Sequence, residues 1–235
     1  MICSNKIVSR KKFNVFEAVT MFLLVIYGLA VLTLILWGFS ASFRTYASIM
    51  QKPWGIFSDL GFENYVGVFN DFKTLKEYDG GFKTVFFEEM FFNSLLYAGG
   101  GAVLQTLCTA AVAYCTAKYD NKCSKAIHYI VIVTLALPIV GNLASMIIVT
   151  KTLGLYDNIV GSWIMKFGFN NIYYMIFYAF FKKISWEYAE SAFLDGGGHY
   201  TVFFRIMMPL SVPIIATIFL LNFIQYWNDF ETPYM

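Results

Sequence analysis

The sequence predicts an all-α fold, a polytopic bundle of helices that cross a membrane. Of the 235 residues, 58% are hydrophobic and 14% are charged, whereas a soluble domain carries about 25% charged residues. The charges are clustered, and the long uncharged runs between them lack the polar stripe of a soluble amphipathic helix. The net charge of +2 is too small to indicate a nucleic-acid partner.

Five apolar runs are long enough to be membrane spans, since a helix needs about 20 residues to cross a hydrocarbon core of roughly 30 Å. They cover residues 16–37, 91–117, 126–150, 159–181 and 210–226. The first run is too long for the apolar region of a signal peptide, which has roughly 7–15 residues, so we expect an uncleaved span. Lys166, Gly168 and the pair Asn170-Asn171 weaken the fourth run and predict a kinked or partly re-entrant entry.

Two of these runs have features that affect helix packing. The second contains many small residues, among them Ala98, Gly100 and Ala113, and small side chains let membrane helices approach closely. We therefore expect it in the interior of the bundle or at a subunit interface. The third contains Pro138, which removes a backbone hydrogen bond and kinks or loosens a helix.

The distribution of charges predicts the orientation of the chain, because segments rich in lysine and arginine are usually cytoplasmic. The cations gathered on one side are Lys6, Arg10, Lys11, Lys12, Lys118, Lys122, Lys125, Lys182, Lys183 and Arg205. We therefore assign residues 1–40 to a cytoplasmic N-terminus with the first span, residues 41–90 to an extracytoplasmic segment and residues 91–235 to a membrane core that includes residues 185–209.

The extracytoplasmic segment is rich in aromatic residues and contains a candidate short amphipathic helix near Phe62. Such a segment either caps the ends of the helices or offers a surface to an external partner. Composition favours neither role, so both stay open.

Patterns that would indicate catalysis are weak. The chain lacks the Gly-x-x-x-x-Gly-Lys-Ser/Thr loop that cradles phosphates, and the glycine triplets 99–101 and 196–198 are not followed by lysine. The four cysteines have no Cys-x-x-Cys spacing and only two histidines could assist them, so a metal site is not expected. We predict that the protein is not an enzyme, uses no cofactor and leaves any ATP hydrolysis to a separate subunit.

Isolated polar residues inside spans are costly and often line a transport pathway. Asn142 and Ser145 lie in the outer half of the third predicted span, and Asn222 and Gln225 lie in the outer part of the fifth. Asn142 and Asn222 could face one hydrophilic route. Interhelical hydrogen bonds would explain the same residues equally well.

A polar segment broken by glycines separates the fourth and fifth predicted spans; we call residues 185–209 the polar loop. Ser185 can cap a short helix that ends near Leu194, and Gly196 can terminate that helix with a positive φ. A second short helix follows, and Pro209 disfavours α geometry in the residue before it. The pattern predicts a compact knob in the cytoplasm, with an ordinary interfacial loop as the alternative.

The polar loop resembles the EAA loop in the membrane subunits of ATP-binding-cassette importers, whose pattern is E-A-A-x3-G-x9-I-x-L-P. The spacing matches throughout, with serine in place of the first alanine and methionine in place of the leucine. The matching residues are Glu190, Ser191, Ala192, Gly196, Ile206, Met208 and Pro209. Other stretches, including Asn93-Ser94 and residues 227–230, look like carbohydrate-type permeases, and the chain most resembles the smaller, maltose-G-type subunit of sugar importers.

This resemblance implies a multi-pass permease subunit in a bacterial-type plasma membrane. Its expected partners are a second permease subunit, two cytoplasmic ATPase subunits and an extracytoplasmic solute-binding protein. ATP-driven closure of the ATPases would switch the permease pair between inward- and outward-facing states through the polar loop. The residues expected at the ATPase contact are Glu190, Ser191, Ala192, Gly196, Ile206 and Pro209.

Two alternatives to a complete sugar permease stay open. Subunits of the resembled family normally have six spans, whereas this chain has five predicted spans, and we expect it to be a fragment. One alternative is a non-transporting or truncated membrane subunit that docks an ATPase. The other is a permease for a solute other than a sugar.

Overall fold

The computed structural model is mostly helical, which confirms the predicted fold class. It describes residues 14–55, 60–78, 81–137, 143–169 and 171–232. The N-terminal cations that predict the orientation lie outside the described residues, as do Pro138 and Asn142. The chain divides into two units, residues 1–88 and 89–235.

The first unit begins with α1 (Val15–Ser42), a helix of 28 residues that corresponds to the first predicted span. The backbone N–H of Asn14, just before the helix, donates to the Glu17 carboxylate at 3.5 Å, as in a capping box. Ser40 is the one buried residue of α1. The helix therefore exposes apolar side chains on every face, as expected of a helix surrounded by lipid.

Two short helices of the first unit are α2 (Tyr46–Gln51) and α3 (Glu63–Asp71). The buried side chain of Arg44 connects to the first of them, because its Nη2 donates to the backbone oxygens of Ser48 at 2.9 Å and Lys52 at 2.7 Å. Asn64 in α3 donates through Nδ2 to the backbone oxygen of Arg44 at 2.8 Å. The short helix predicted near Phe62 is thus present as α3.

An antiparallel hairpin follows, formed by β1 (Lys73–Tyr78) and β2 (Gly81–Phe86), with Lys76 opposite Lys83. It adds two strands to the predicted all-helical fold. The strand signal is present in the sequence, because threonine, valine, tyrosine and phenylalanine favour strands, and the intervening Asp-Gly-Gly favours a turn. Each strand has only six residues, so the strand signal is weak compared with the much longer apolar runs of this chain.

The second unit is organised around α4 (Phe87–Lys118), a helix of 32 residues. Its small side chains point inward, since Ala98, Ala102, Ala110 and Ala113 are fully buried. This confirms the interior position predicted for the second apolar run.

Four shorter helices follow: α5 (Lys122–Ala136), α6 (Leu143–Thr152), α7 (Ile159–Lys166) and α8 (Ile172–Lys183). The prediction of the third span as one helix is therefore wrong, and the kink predicted in the fourth is a break between α7 and α8. Leu137 after α5 is extended, with φ −89° and ψ 118°, because the residue before a proline avoids the α region. Asn171 caps α8 by accepting the N–H of Tyr174 at 3.2 Å.

The last helical elements are α9 (Glu187–Leu194), α10 (His199–Thr201), a π-helical segment (Val202–Met207), α11 (Met208–Leu210) and α12 (Val212–Trp227). The three elements from His199 to Leu210 form one continuous helical stretch, and a bend of 75° separates it from α12. The fifth predicted span corresponds to α12.

Within the described part of the chain, α1 and α4 are each long and apolar enough to cross a membrane. The bent pair formed by His199–Leu210 and α12 would make a third span if it crosses as one. The helices α5 to α8 have 15, 10, 8 and 12 residues, fewer than the roughly 20 of a full span. The count of five spans therefore stays a prediction.

Gly100, in the glycine triplet of α4, packs against the side chain of Trp163 in α7. A Cβ built on Gly100 would lie 2.2 Å from Cε2 of Trp163, so the indole occupies the space that a side chain would need. The Nε1 of the same indole donates to the backbone oxygen of Leu96 at 3.2 Å. Gly99 differs, since a Cβ built there meets no atom of the described chain within 4 Å.

Gly100→Ala is expected to lower the free energy of unfolding by about 1–3 kcal/mol, because its methyl group overlaps the Trp163 indole. Gly99→Ala is the matched control, since it adds the same methyl group in open space and improves helix propensity by up to about 1 kcal/mol. Thermal unfolding of the detergent-solubilised protein measures both changes. Equal unfolding midpoints for the two variants would contradict the packing of Trp163 on Gly100.

Candidate functional site

The polar loop begins with α9, whose N-cap is Trp186, one residue after the predicted cap. Ser185 still contributes to the helix start, because its Oγ accepts the backbone N–H of Glu187 at 3.3 Å. Glu187 and Glu190 lie in the first turn, where the positive end of the helix dipole favours carboxylates.

α9 ends in the glycine turn that the sequence predicts. Gly196 has a φ of +82°, and its N–H donates to the backbone oxygen of Phe193 at 3.0 Å. The N–H of Gly197 donates to the backbone oxygen of Ala192 at 2.7 Å. These two bonds form a Schellman motif, which satisfies carbonyl groups that a helix end leaves without partners.

The helical stretch after the turn contains the π-helical segment immediately before Pro209. The N–H of Met208 donates to the backbone oxygen of Phe203, five residues earlier. Met208 has α-helical dihedrals, φ −64° and ψ −48°, so the prediction that Pro209 disfavours α geometry there is wrong. Proline crowds the carbonyl four residues before it, and the wider π turn relieves that crowding.

One face of the polar loop is packed into the core of the second unit. Ala189, Val202 and Met207 are fully buried there. They belong to the same apolar cluster as Phe177 and Phe181 of α8. The loop is therefore held on the helix bundle from both sides of its glycine turn.

The other face of the polar loop is exposed and carries carboxylates together with apolar surface. Leu194 is 89% exposed and Tyr200 is 83% exposed, although leucine is most often buried. Of the residues predicted at an ATPase contact, those exposed are Glu190, Ser191, Gly196 and Pro209, and those half-buried are Ala192 and Ile206. The loop thus presents a rigid, partly apolar surface.

The residues predicted to line a pathway lie in different surroundings. Asn222 is buried, and its Nδ2 donates to Oγ1 of Thr106 in α4 at 2.9 Å. This is the interhelical hydrogen bond that the sequence left open as an alternative. Ser145 and Gln225 are exposed, and Asn142 lies outside the described residues. A shared hydrophilic route along these residues stays a prediction.

A polar cluster that the sequence analysis missed surrounds Asp229, just after α12. Oδ2 of Asp229 accepts hydrogen bonds from Nζ of Lys166 at 2.8 Å, from the hydroxyl of Tyr97 at 2.6 Å and from Oγ1 of Thr232 at 2.6 Å. Burial alone would raise the pKa of the Asp229 carboxyl, but the hydrogen bonds from Lys166, Thr232 and Tyr97 hold that pKa well below its usual range. The cluster joins α4, α7 and the end of α12.

The signal for this cluster was Lys166 itself, the cation that weakens the fourth predicted span. A cation in such a position requires a carboxylate or another partner. The partner is 63 residues further along the chain, so the sequence pattern could indicate the need for it without identifying it.

The described side chains offer no cluster for a metal ion. No group of three or more His, Cys, Asp or Glu residues in this part of the chain is placed to hold one. The two histidines contact tyrosine hydroxyls instead: Nδ1 of His128 is 3.0 Å from the hydroxyl of Tyr174, and Nδ1 of His199 is 2.9 Å from that of Tyr119.

Residues 106–235 match the model of a protein family described as the binding-protein-dependent transport system inner membrane component. The matched region begins within α4 and includes the whole polar loop and α12. It therefore contains both the exposed face of the polar loop and the Asp229 cluster except for Tyr97.

The chain is 26% identical over 219 residues to the diacetylchitobiose uptake system permease protein NgcG of Streptomyces coelicolor, covering 93% of this chain and 68% of that protein. It is 28% identical over 174 residues to the arabinooligosaccharides transport system permease protein AraQ of Bacillus subtilis, covering 74% of this chain and 57% of that protein. A solved chain of a bacterial ABC transporter involved in the import of the acidic polysaccharide alginate matches with a TM-score of 0.75. That match has 26% sequence identity and covers 91% of this chain and 71% of that chain.

Asp229→Asn is expected to lower the free energy of unfolding by about 2 kcal/mol, because it removes the charge that accepts hydrogen bonds from the Lys166 ammonium and from the hydroxyls of Tyr97 and Thr232. Glu231→Gln is the control, since it neutralises an exposed carboxylate two residues away. Thermal unfolding in detergent measures both. A double variant, Lys166→Met with Asp229→Asn, should lose less stability than the sum of its single changes; strict additivity would exclude the ion pair.

Proposed function

Because the chain belongs to the family of binding-protein-dependent transport system inner membrane components, we propose that it is a permease subunit of an ATP-driven sugar importer. The polar loop is its docking element for a separate ATPase subunit. The chain itself supplies binding surfaces and transmits motion, and the ATPase hydrolyses ATP.

Relatives support a carbohydrate as the transported solute. Diacetylchitobiose, arabinooligosaccharides and alginate, the compounds in the names of similar proteins, are all chains of linked sugars. We therefore propose an oligosaccharide that an extracytoplasmic solute-binding protein delivers. A second permease subunit would complete the route, and Asn222 with Gln225 would lie beside it.

The observation that carries the docking proposal is the separation of buried and exposed faces in the polar loop. Ala189 anchors α9 in the core, while the neighbouring Glu190 and Ser191 are exposed. Leu194 extends at the end of the helix, 89% exposed, directly before the turn at Gly196. A short rigid helix with one prominent apolar side chain suits a groove on a partner.

Coupling through such a loop requires no covalent chemistry in this chain. Closure of the ATPases upon ATP binding moves the docked loop as a rigid body. The permease pair then alternates between inward- and outward-facing states. Glu190, Ser191, Ala192 and Gly196 would form the first part of the contact, with Ile206 and Pro209 supporting it from the second helical stretch. In this scheme the polar loop and the N-terminus are cytoplasmic, as the distribution of cations predicts.

Gly196→Thr is expected to abolish oligosaccharide uptake by the complete importer. A β-branched residue at φ +82° is strongly disfavoured, at a cost of about 1–2 kcal/mol or more, so the Schellman turn opens and the tip of α9 shifts. Uptake of labelled chito- and arabino-oligosaccharides is measured in proteoliposomes that contain the ATPases and the binding protein. Immunoblotting of the membrane fraction measures the amount of each variant.

Gly198→Thr is the matched control. Gly198 has φ −90° and ψ 174°, which threonine adopts readily, and a Cβ there meets no atom of the described chain within 4 Å. It is also the N-cap of α10, a position that threonine suits. Uptake close to that of the wild type is expected for this variant. Wild-type uptake by the Gly196→Thr importer would overturn the docking role of the loop.

A further inference from the structure

Tyr119, the residue directly after α4, contacts the polar loop on both sides of its glycine turn. Its hydroxyl is 2.9 Å from Nδ1 of His199, the first residue of α10. Its ring also lies edge-on to that of Trp186, the N-cap of α9, with 5.9 Å between ring centroids. One side chain at the end of a long membrane helix therefore contacts the start of both helical parts of the loop.

Phe193, near the end of α9, completes a closed set of ring contacts. Its ring centroid is 6.1 Å from that of Trp186 and 4.9 Å from that of His199. Tyr119, Trp186, Phe193 and His199 thus form a cycle in which each ring contacts two others, and we call these four residues the aromatic clasp. Edge-on and tilted arrangements of this kind are the favourable geometries for aromatic pairs.

A second contact lies beside the aromatic clasp. Nζ of Lys118, the last residue of α4, donates to the backbone oxygen of Ile184 at 2.5 Å. Ile184 is the C-cap of α8, so this bond holds the point at which the chain enters the polar loop. Both contacts originate from consecutive residues at the end of α4.

The remainder of α4 is bonded to the last helix of the described chain. Thr106 accepts the hydrogen bond from Asn222 of α12, and Tyr97 donates to Asp229 just after α12. α4 is therefore joined to α12 by direct hydrogen bonds at two levels.

We propose that the aromatic clasp is the junction through which the polar loop moves α4, and that Tyr119 and His199 are its positioning residues. This inference rests on the proposed function of the loop as an ATPase-docking element. Buried residues such as Ala189 and Val202 already hold the loop on the bundle. The Tyr119–His199 bond lies at the surface, where water competes for it, so its loss should cost little folding stability. Because it links the residue after α4 to the first residue of α10, we assign it to the orientation of the loop on the helix.

The test uses the complete importer, with its ATPases and binding protein, in proteoliposomes. Tyr119→Phe removes the hydroxyl alone, and His199→Phe keeps a ring but removes Nδ1. Both variants should bind the ATPase and hydrolyse ATP at wild-type rates, while the oligosaccharide imported per ATP falls about fivefold, the effect of one lost hydrogen bond. The probe is the labelled chito- or arabino-oligosaccharide that the wild-type importer takes up fastest.

Two further variants serve as references. His199→Asn can place an amide atom near the position of Nδ1 but removes the ring contacts with Tyr119 and Phe193, so it should restore only part of the import per ATP that His199→Phe loses. Tyr129→Phe removes a hydroxyl that has no hydrogen-bond partner among the described residues, and it should behave as the wild type.

The outcomes separate this inference from the proposed function. If Gly196→Thr abolishes uptake while Tyr119→Phe and His199→Phe import at the wild-type ratio, the loop docks the ATPase but the aromatic clasp does not transmit its motion. Loss of ATPase binding in Tyr119→Phe would also overturn the inference, because the clasp would then shape the docking surface. Failure of the wild-type chain to bind an ATPase would overturn both.

Discussion

The second unit depends on the close approach of the neighbouring helices to α4. Apart from Tyr114, the buried residues of this helix are alanine, glycine and threonine, so its neighbours contact it almost at the backbone. Trp163 uses the space over Gly100, and the ring of Tyr226 lies against Gly101, 3.2 Å from the position of a Cβ. Bulky residues on this face would move α7 and α12 outward together, and the polar contacts between these helices would be lost with the packing.

The polar contacts of the bundle follow from the same closeness. A polar group inside an apolar environment must find its partner within the protein. Thr106 meets Asn222, and Tyr97 meets Asp229, because α4 and α12 are near enough for short side chains to reach across. The ion pair between Lys166 and Asp229 adds α7 to the same group. Hydrogen bonds here specify which helices adjoin, while the small residues make that arrangement possible.

Features set by local sequence were the ones that could be predicted. A long apolar run specifies a helix, as for α1 and α4, and a glycine specifies a positive φ, as for Gly196. The kink or loosening predicted from Pro138 agrees with the end of α5 at Ala136, where Leu137 leaves the α region. The Asp229 cluster could not be predicted, because its bonds join residues 63 and 132 positions apart. The π-helical segment before Pro209 was not predicted either, because a proline alone does not specify whether a helix ends, kinks or widens at that point.

In the polar loop, the backbone is fixed by a buried side chain and a glycine turn, and the large exposed side chains lie at other positions. Ala189 and Gly196 set the position and the end of α9, whereas Ser191 and Leu194 are exposed and make no contribution to the buried core. Selection on partner recognition can therefore act on the exposed positions without a penalty in folding. The exposed surface of a loop built in this way can change, or be redesigned for a different partner, while the helix bundle beneath it stays unchanged.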